Sequence, residues 1–272
     1  MDTNYYLRLA RYAVQQAEEI ISESTDRSEL TYKGDRDFAS AVDMRVEESI
    51  RARLTTESPE CSFLGEEYGL QKGHSDELIW VLDPIDGTSN FVHGNPLYSI
   101  SLSLLSEGEP AVGVVSIPQL HHQFTAAVGQ GAAINETTTH CSSTKELRSS
   151  IISTGDFAVG KGAIEKNHER FELHHQLVPT VERVRMFGSA AIDLCWVAAG
   201  WTDGCVVMSG KIWDVAAGIV IAREAGADVL NGDGEQYDSN SETMIASTPA
   251  ITDELVQVVK TAANWQNHSS VP

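Results

Sequence analysis

Residues 80–91 run Trp80-Val81-Leu82-Asp83-Pro84-Ile85-Asp86-Gly87-Thr88-Ser89-Asn90-Phe91. The apolar run Leu78–Leu82 predicts a short buried strand. Pro84 has no N–H to give to a central ladder, so the backbone is expected to leave the sheet at Asp83-Pro84. Asp86-Gly87 is a second turn signal. Thr88 and Ser89 then stand where a helical turn would begin. Two carboxylates, Asp83 and Asp86, would be presented at a strand end beside the N–H groups of Gly87 and Thr88. Carboxylates bind hard cations such as Mg²⁺, and amides at a helix start bind phosphate. Together they suit the transfer of a phosphoryl group to water. Taken alone, the same residues also make a plain strand-to-turn corner with two solvated aspartates.

Outward from this stretch the chain alternates helical and strand patterns. Before it, Tyr5–Ile21 places apolar residues at helical spacing. Leu30–Phe38 is polar and glycine-containing and predicts an exposed loop. Helical periodicity resumes over Phe38–Leu54, where Ser40 and Asp43 share a face and Asp43 suits the helix N-terminus. Cys61–Tyr68 predicts a strand ending at Gly65-Glu66-Glu67, where the glycine permits close backbone approach. After it, Leu97–Leu105, Ala111–Ile117 and Gln123–Val128 predict an antiparallel meander. His121 and His122 are adjacent, so on a strand they would face opposite ways and are expected to be turn-exposed rather than joint ligands.

Thr137–Arg148 is the candidate boundary between halves 1–140 and 145–272 of one catalytic unit. Beyond it come a strand at Ile151–Thr154 and a partly helical region, Gly160–Leu177, whose three histidines are expected on a solvated face. A buried helix follows from Gly188-Ser189, then strand Gly204–Met208. Asp214 stands in the first turn of a helix, where capping alone would account for it. A last strand, Thr243–Ser247, and a closing helix, Thr252–Trp265, precede a polar tail.

The chain has 272 residues and a formal net charge of −20. A polyanion such as nucleic acid would be repelled, whereas bound Mg²⁺ can reverse the local sign for an anionic substrate. Arginines outnumber lysines 12 to 7, and acid excess with few lysines suits a salt-rich cytoplasm. No run approaches ~20 apolar residues, so no membrane span is expected. The first residues lack a secretory pattern, and a cytoplasmic location is the expectation. Four cysteines without Cys-x-x-Cys spacing predict packed, reduced thiols.

Four separated pieces match in residue type: Gly65-Glu66-Glu67; Asp83-Pro84-Ile85-Asp86-Gly87-Thr88; Trp213-Asp214-Val215-Ala216-Ala217-Gly218; and the run Lys33, Asp37, Ser40, Asp43. In this order, over nearly the whole chain, the set resembles the inositol monophosphatase family of Mg²⁺-dependent, lithium-sensitive sugar phosphatases. The resemblance implies an α+β fold layered α-β-α-β-α. It implies that Glu66 and Asp83, with the carbonyl of Ile85, hold one Mg²⁺, and that Asp83, Asp86 and Asp214 hold a second. A third ion would use Glu66 and the Lys33–Phe38 loop. Gly87 and Thr88 would donate to phosphate; Thr88 and Asp43 would orient and deprotonate water, with Glu66 on the catalytic side. Asp86, Gly188, Ser189, Ala190 and Asp214 would meet the substrate.

Two carboxylates ~4 Å apart repel by about 4 kcal/mol at an effective dielectric of ~20, so such a cluster calls for cations. Inositol phosphatases carry a ring-binding glutamate six residues before the Trp-Asp pair, where this chain has Val207. The implied substrates are therefore inositol monophosphate, fructose 1,6-bisphosphate or other sugar and polyol phosphates. The implied assembly is a homodimer. The alternative of another class is a non-catalytic interaction protein on the same scaffold.

Overall fold

Helix α1 (Thr3–Glu23) forms where the apolar spacing places it, and Asp2 caps it by accepting from Tyr5 N at 3.1 Å. Strands β1 (Leu30–Gly34) and β2 (Asp37–Ser40) pair antiparallel. This corrects the expected loop over Leu30–Phe38: a two-stranded ribbon closes on its own ladder, so polar residues suffice and no apolar alternation marks it. Helix α2 (Ala41–Glu57) starts three residues later than expected, because Ser40 is its N-cap. The computed structural model describes residues 1–24, 30–34, 37–75, 77–208, 210–238 and 240–264, with 32–34 and 37–38 described by backbone alone. The expected third-ion contacts of the Lys33–Phe38 loop, and the tail from Trp265, lie outside that description.

The main sheet follows. Strands β3 (Ser62–Gly65), β4 (Gly69–Gln71) and β5 (Leu78–Asp86) lead through the short helix α3 (Thr88–Val92) to β6 (Ser99–Ser106), β7 (Glu109–Ile117), β8 (His122–Ala127), β9 (Ala132–Ile134) and β10 (Thr137–Thr139). Their order is β10-β9-β8-β7-β6-β5-β3-β4, antiparallel except for the β3–β5 pair. His121 is an exposed turn residue at φ 55°, as expected, but His122 is half-buried against Trp201, ring centroids 5.1 Å apart.

A second sheet uses β11 (Ile151–Thr154), helix α4 (Ala163–Leu177), β12 (Arg183–Arg185), helix α5 (Ala190–Ala198), β13 (Gly204–Met208), helix α6 (Ile212–Glu224), β14 (Asp228–Asn231), β15 (Thr243–Ser247) and helix α7 (Thr252–Ala263). Its strand order is β12-β11-β13-β15-β14. His174 departs from the solvated face expected of α4: it is half-buried, stacked on Phe157, with Nε2 3.2 Å from Thr154 Oγ1.

Alternation along the strands sorts these elements into α-β-α-β-α layers. Ile100, Leu102 and Leu104 of β6 pack on α1 and α2. The opposite face of the same sheet, with Val115 and Ile117, packs on α5 and α6. On β13, Cys205 and Val207 face α5 and α6, while Val206 faces α4 and α7. The central helices sit close because small residues let them: a Cβ on Gly113 would lie 2.6 Å from Ala217 O, and one on Gly218 2.5 Å from Leu194 Cδ1. All four cysteines are free thiols, three of them buried. Among the described residues no helix is long and apolar enough to cross a membrane.

Candidate metal and phosphate site

The parallel pairing of β3 with β5 sets Gly65 beside Leu82, and Glu66 N donates to Leu82 O at 3.2 Å. Glu66 is thereby delivered next to Asp83. Strand β5 does not stop at Asp83-Pro84 as expected. Its ladder with β6 breaks after Asp83↔Ser101 and resumes at Asp86↔Ser99. Pro84 falls within this irregularity, where its missing N–H costs no ladder bond. Inside the break, Ile85 N donates to Asp83 Oδ1 at 3.0 Å. Two acids three positions apart thus stay on one sheet end, and Asp83 is only 3% exposed.

Asp86 is held by the second half of the chain. Its Oδ2 accepts from Ser189 Oγ at 2.6 Å and from Ala191 N at 2.7 Å, at the start of α5. The same Ser189 caps α5 through Ile192 N at 3.2 Å. Gly87 has φ 91°, and a Cβ there would lie 2.9 Å from Gly188 O, so the close approach of the two loops needs glycine. Gly188, Ser189 and Ala190 therefore lie against Asp86 and Gly87, with the Ser189 hydroxyl engaged by the protein itself.

Asp43 and Thr88 also meet. Asp43 closes a capping box on α2, accepting from Ser40 N at 2.9 Å and from the Ser40 hydroxyl. Its other oxygen lies 3.4 Å from Thr88 Oγ1, which is 3.1 Å from Ile85 O. Asp214 caps α6, accepting from Lys211 N at 2.9 Å. Ser101 Oγ donates to Trp213 O at 3.2 Å and docks that helix start on β6. Capping and clustering are not alternatives here, since Asp43 and Asp214 do both.

The acids act on one another. Asp83 is pushed well above the carboxylate range by burial first, then by the charges of Glu66, Asp86, Asp214 and Asp43. Burial lifts Asp214 to about 7, helped by Asp86 and Glu66 and opposed by Lys211. Burial lifts Asp86 to about 6 against its bonds from Ser189 and Ala191, and lifts Asp43 to about 6 against its bonds from Ser40. Oxygen donors that mutually resist ionisation fit a hard divalent cation. Among the described residues no three His, Cys, Asp or Glu side chains enclose a single point. The three acids Asp83, Asp86 and Asp214 would therefore have to draw together around an ion, with waters and phosphate oxygens completing its shell.

Glu47 supports the site and carries no sequence motif. It is fully buried on α2, pairs with Arg51, and accepts from Glu67 N at 2.8 Å and Tyr68 N at 3.1 Å. A Cβ on Gly65 would overlap its carboxylate. Glu47 thus fixes the turn that carries Glu66, and its signal is only the i, i+4 spacing to Arg51. Asp193 of α5 is likewise buried, and neither of its carboxylate oxygens has a hydrogen-bond partner among the described residues. Burial drives its pKa well up. Val207 is 5% exposed and packs in the apolar cluster with Val215 and Met244.

Residues 3–264 match the sequence model described as the inositol monophosphatase family. The Nus factor SuhB of Pasteurella multocida is 33% identical over 260 residues, covering 94% of this chain and 96% of that protein. The inositol-1-monophosphatase of Mesorhizobium japonicum is 34% identical over 233 residues, 85% of this chain and 86% of that one. Among solved structures, the extragenic suppressor protein suhB from Bartonella henselae superposes with a TM-score of 0.87 at 31% identity, covering 94% of this chain and 98% of that one. The inositol monophosphatase from Anabaena (Nostoc) sp. PCC 7120 gives 0.85 at 28% identity, covering 96% and 97%.

Proposed function

Since the chain belongs to the inositol monophosphatase family, we propose that it is a Mg²⁺-dependent phosphomonoesterase acting on inositol monophosphate or related sugar and polyol phosphates. The observation that carries this reading is the meeting of Asp43, Glu66, Asp83, Asp86 and Asp214, acids from separate parts of the chain, where burial and then neighbouring acids raise the pKa of Asp43, Asp83, Asp86 and Asp214. Glu66, Asp83 and the carbonyl of Ile85 would hold one Mg²⁺, and Asp83, Asp86 and Asp214 a second. When bound, Mg²⁺ lowers the pKa of water and stabilises charge on the phosphoryl and leaving oxygens.

The protein's own groups supply the rest. Gly87 and Thr88 orient the phosphate through their amides. The Thr88 hydroxyl lies between Ile85 O and Asp43, where it can align a water. Asp43, lifted by burial to about 6, is poised to take a proton near neutral pH. A homodimer and a substrate range reaching fructose 1,6-bisphosphate belong to the same proposal.

Release of inorganic phosphate from a panel of sugar and polyol phosphates tests it. Hydrolysis that requires MgCl₂ and stops with EDTA is expected; none with any ester would overturn it. That outcome would favour the second reading, a non-catalytic interaction protein, which the name Nus factor on several relatives brings forward. The net charge of −20 weighs against direct contact with nucleic acid in either case.

A further inference from the structure

Between β11 and α4 the chain presents a carboxylate that the proposed chemistry leaves unused. Asp156 is exposed. A Cβ placed on Gly188 would lie 3.5 Å from its Oδ2. Gly188 itself abuts Gly87, whose Cβ position lies 2.9 Å from Gly188 O. Gly87, Gly188 and Asp156 therefore form one edge, running outward from the amide assigned to phosphate.

The loop bearing Asp156 is fastened from below. Arg170 is only 8% exposed, and its guanidinium donates to three backbone carbonyls: Nε to Asp156 O at 3.2 Å, Nη1 to Lys166 O at 3.1 Å and Nη2 to Met208 O at 3.0 Å. Charge-assisted bonds from one rigid fork thus tie this loop to α4 and to the end of β13. Next to it, Gly155 N donates to Val206 O at 3.1 Å, and a Cβ on Gly155 would lie 3.9 Å from Val207 Cα. The backbone before Asp156 passes directly over Val207.

We propose that Asp156 is a specificity-determining residue. Its carboxylate accepts hydrogen bonds from hydroxyls of a polyol whose phosphate lies on Gly87 and Thr88. Hydroxyl donors to a carboxylate give charge-assisted bonds, and a second phosphate brought to this edge would meet like charge. The site would therefore favour polyol monophosphates over bisphosphates. This inference rests on the phosphatase reading and narrows its substrate class.

Steady-state kinetics of wild type, Asp156→Ala and Asp156→Asn test it, with myo-inositol 1-phosphate, fructose 1,6-bisphosphate and 4-nitrophenyl phosphate, which offers no ring hydroxyls. The ratio of kcat/KM for the inositol ester over the nitrophenyl ester should fall about tenfold in Asp156→Ala, chiefly through KM, and less in Asp156→Asn. The preference for inositol ester over bisphosphate should shrink as well. An unchanged ratio, whether both activities fall together or neither does, overturns the inference and leaves the phosphatase reading standing. So does a wild type that hydrolyses the nitrophenyl ester but not the inositol ester. A wild type inactive on all three esters sinks both.

Discussion

Glu47 and Asp83 are both withdrawn from water, at 0% and 3% exposure, yet their surroundings are opposite. Glu47 faces the Arg51 guanidinium and two backbone N–H groups. Asp83 faces one backbone N–H and the charges of four other acids. The first carboxylate is complete within the protein. The second is surrounded by its own kind, an arrangement that burial makes costly unless a cation enters. A carboxylate that builds the fold and one proposed for metal chemistry thus differ in what meets their oxygens, even on neighbouring elements.

The largest effect should come from the Asp83 side. Asp83→Asn keeps the shape and the Ile85 N–H bond but removes a ligand charge shared by both proposed ions. Phosphate release at saturating MgCl₂ should drop at least ~10³-fold, while the circular dichroism spectrum and melting temperature without metal are retained or improved. Near-wild-type turnover would remove Asp83 from the metal set.

Glu47 should respond in the opposite way. Glu47→Ala leaves Arg51 without its buried partner and frees the turn at Glu67-Tyr68, at a cost of about 3 kcal/mol. Urea unfolding should show that loss. The folded fraction should retain turnover but need more Mg²⁺, because Glu66 is no longer held.

Removing metal should expose the comparison through pH. Asp43 and Asp86 have folded pKa values of about 6, and Asp214 about 7, all above their unfolded values near 3.8. The folded state therefore keeps protons that the unfolded chain has released. Stability from these groups is full below about pH 4 and is lost as pH rises through 6 to 7. In EDTA the melting temperature should fall between pH 5 and 8, and MgCl₂ should flatten that slope by binding the folded state. A melting temperature that rises with pH in EDTA would contradict the assigned shifts.

The smallest effect at acidic pH belongs to Asp193→Asn. Burial drives the pKa of this acid well up and so favours its protonated form; an isosteric amide should cost within about 1 kcal/mol at pH 5. Its benefit should grow toward pH 8, where wild type is pressed to ionise. Calorimetry of both proteins across that range checks the direction.

The acids of the candidate site were legible through the family resemblance: the turn and helix-start signals at Asp83, Asp86 and Asp214 alone also fit a solvated corner and a cap, while the apolar runs of β5 to β8 mark a sheet. What stayed hidden depends on partners far along the chain. Glu47 looks like any charged residue on an amphipathic helix until the Glu67 and Tyr68 amides close on it. The β1–β2 ribbon carries no apolar alternation in its sequence, so only its backbone ladder reveals it. Pro84 looked like a strand end because the ladder slip that tolerates it is set by β6. His174 leaves the surface only because Phe157 arrives to stack on it. Asp156 shows no motif, and its place beside Gly188 depends on Arg170 and Gly188, 14 and 32 positions away in sequence.

The most direct test of the account is a crystal soaked in MnCl₂, with anomalous diffraction recorded at the manganese edge. The account predicts peaks shared among Glu66, Asp83 and the Ile85 carbonyl, and among Asp83, Asp86 and Asp214, with Glu47 unliganded and still paired to Arg51. Absence of anomalous density between those acids at millimolar Mn²⁺, or a peak on Glu47 instead, would contradict it.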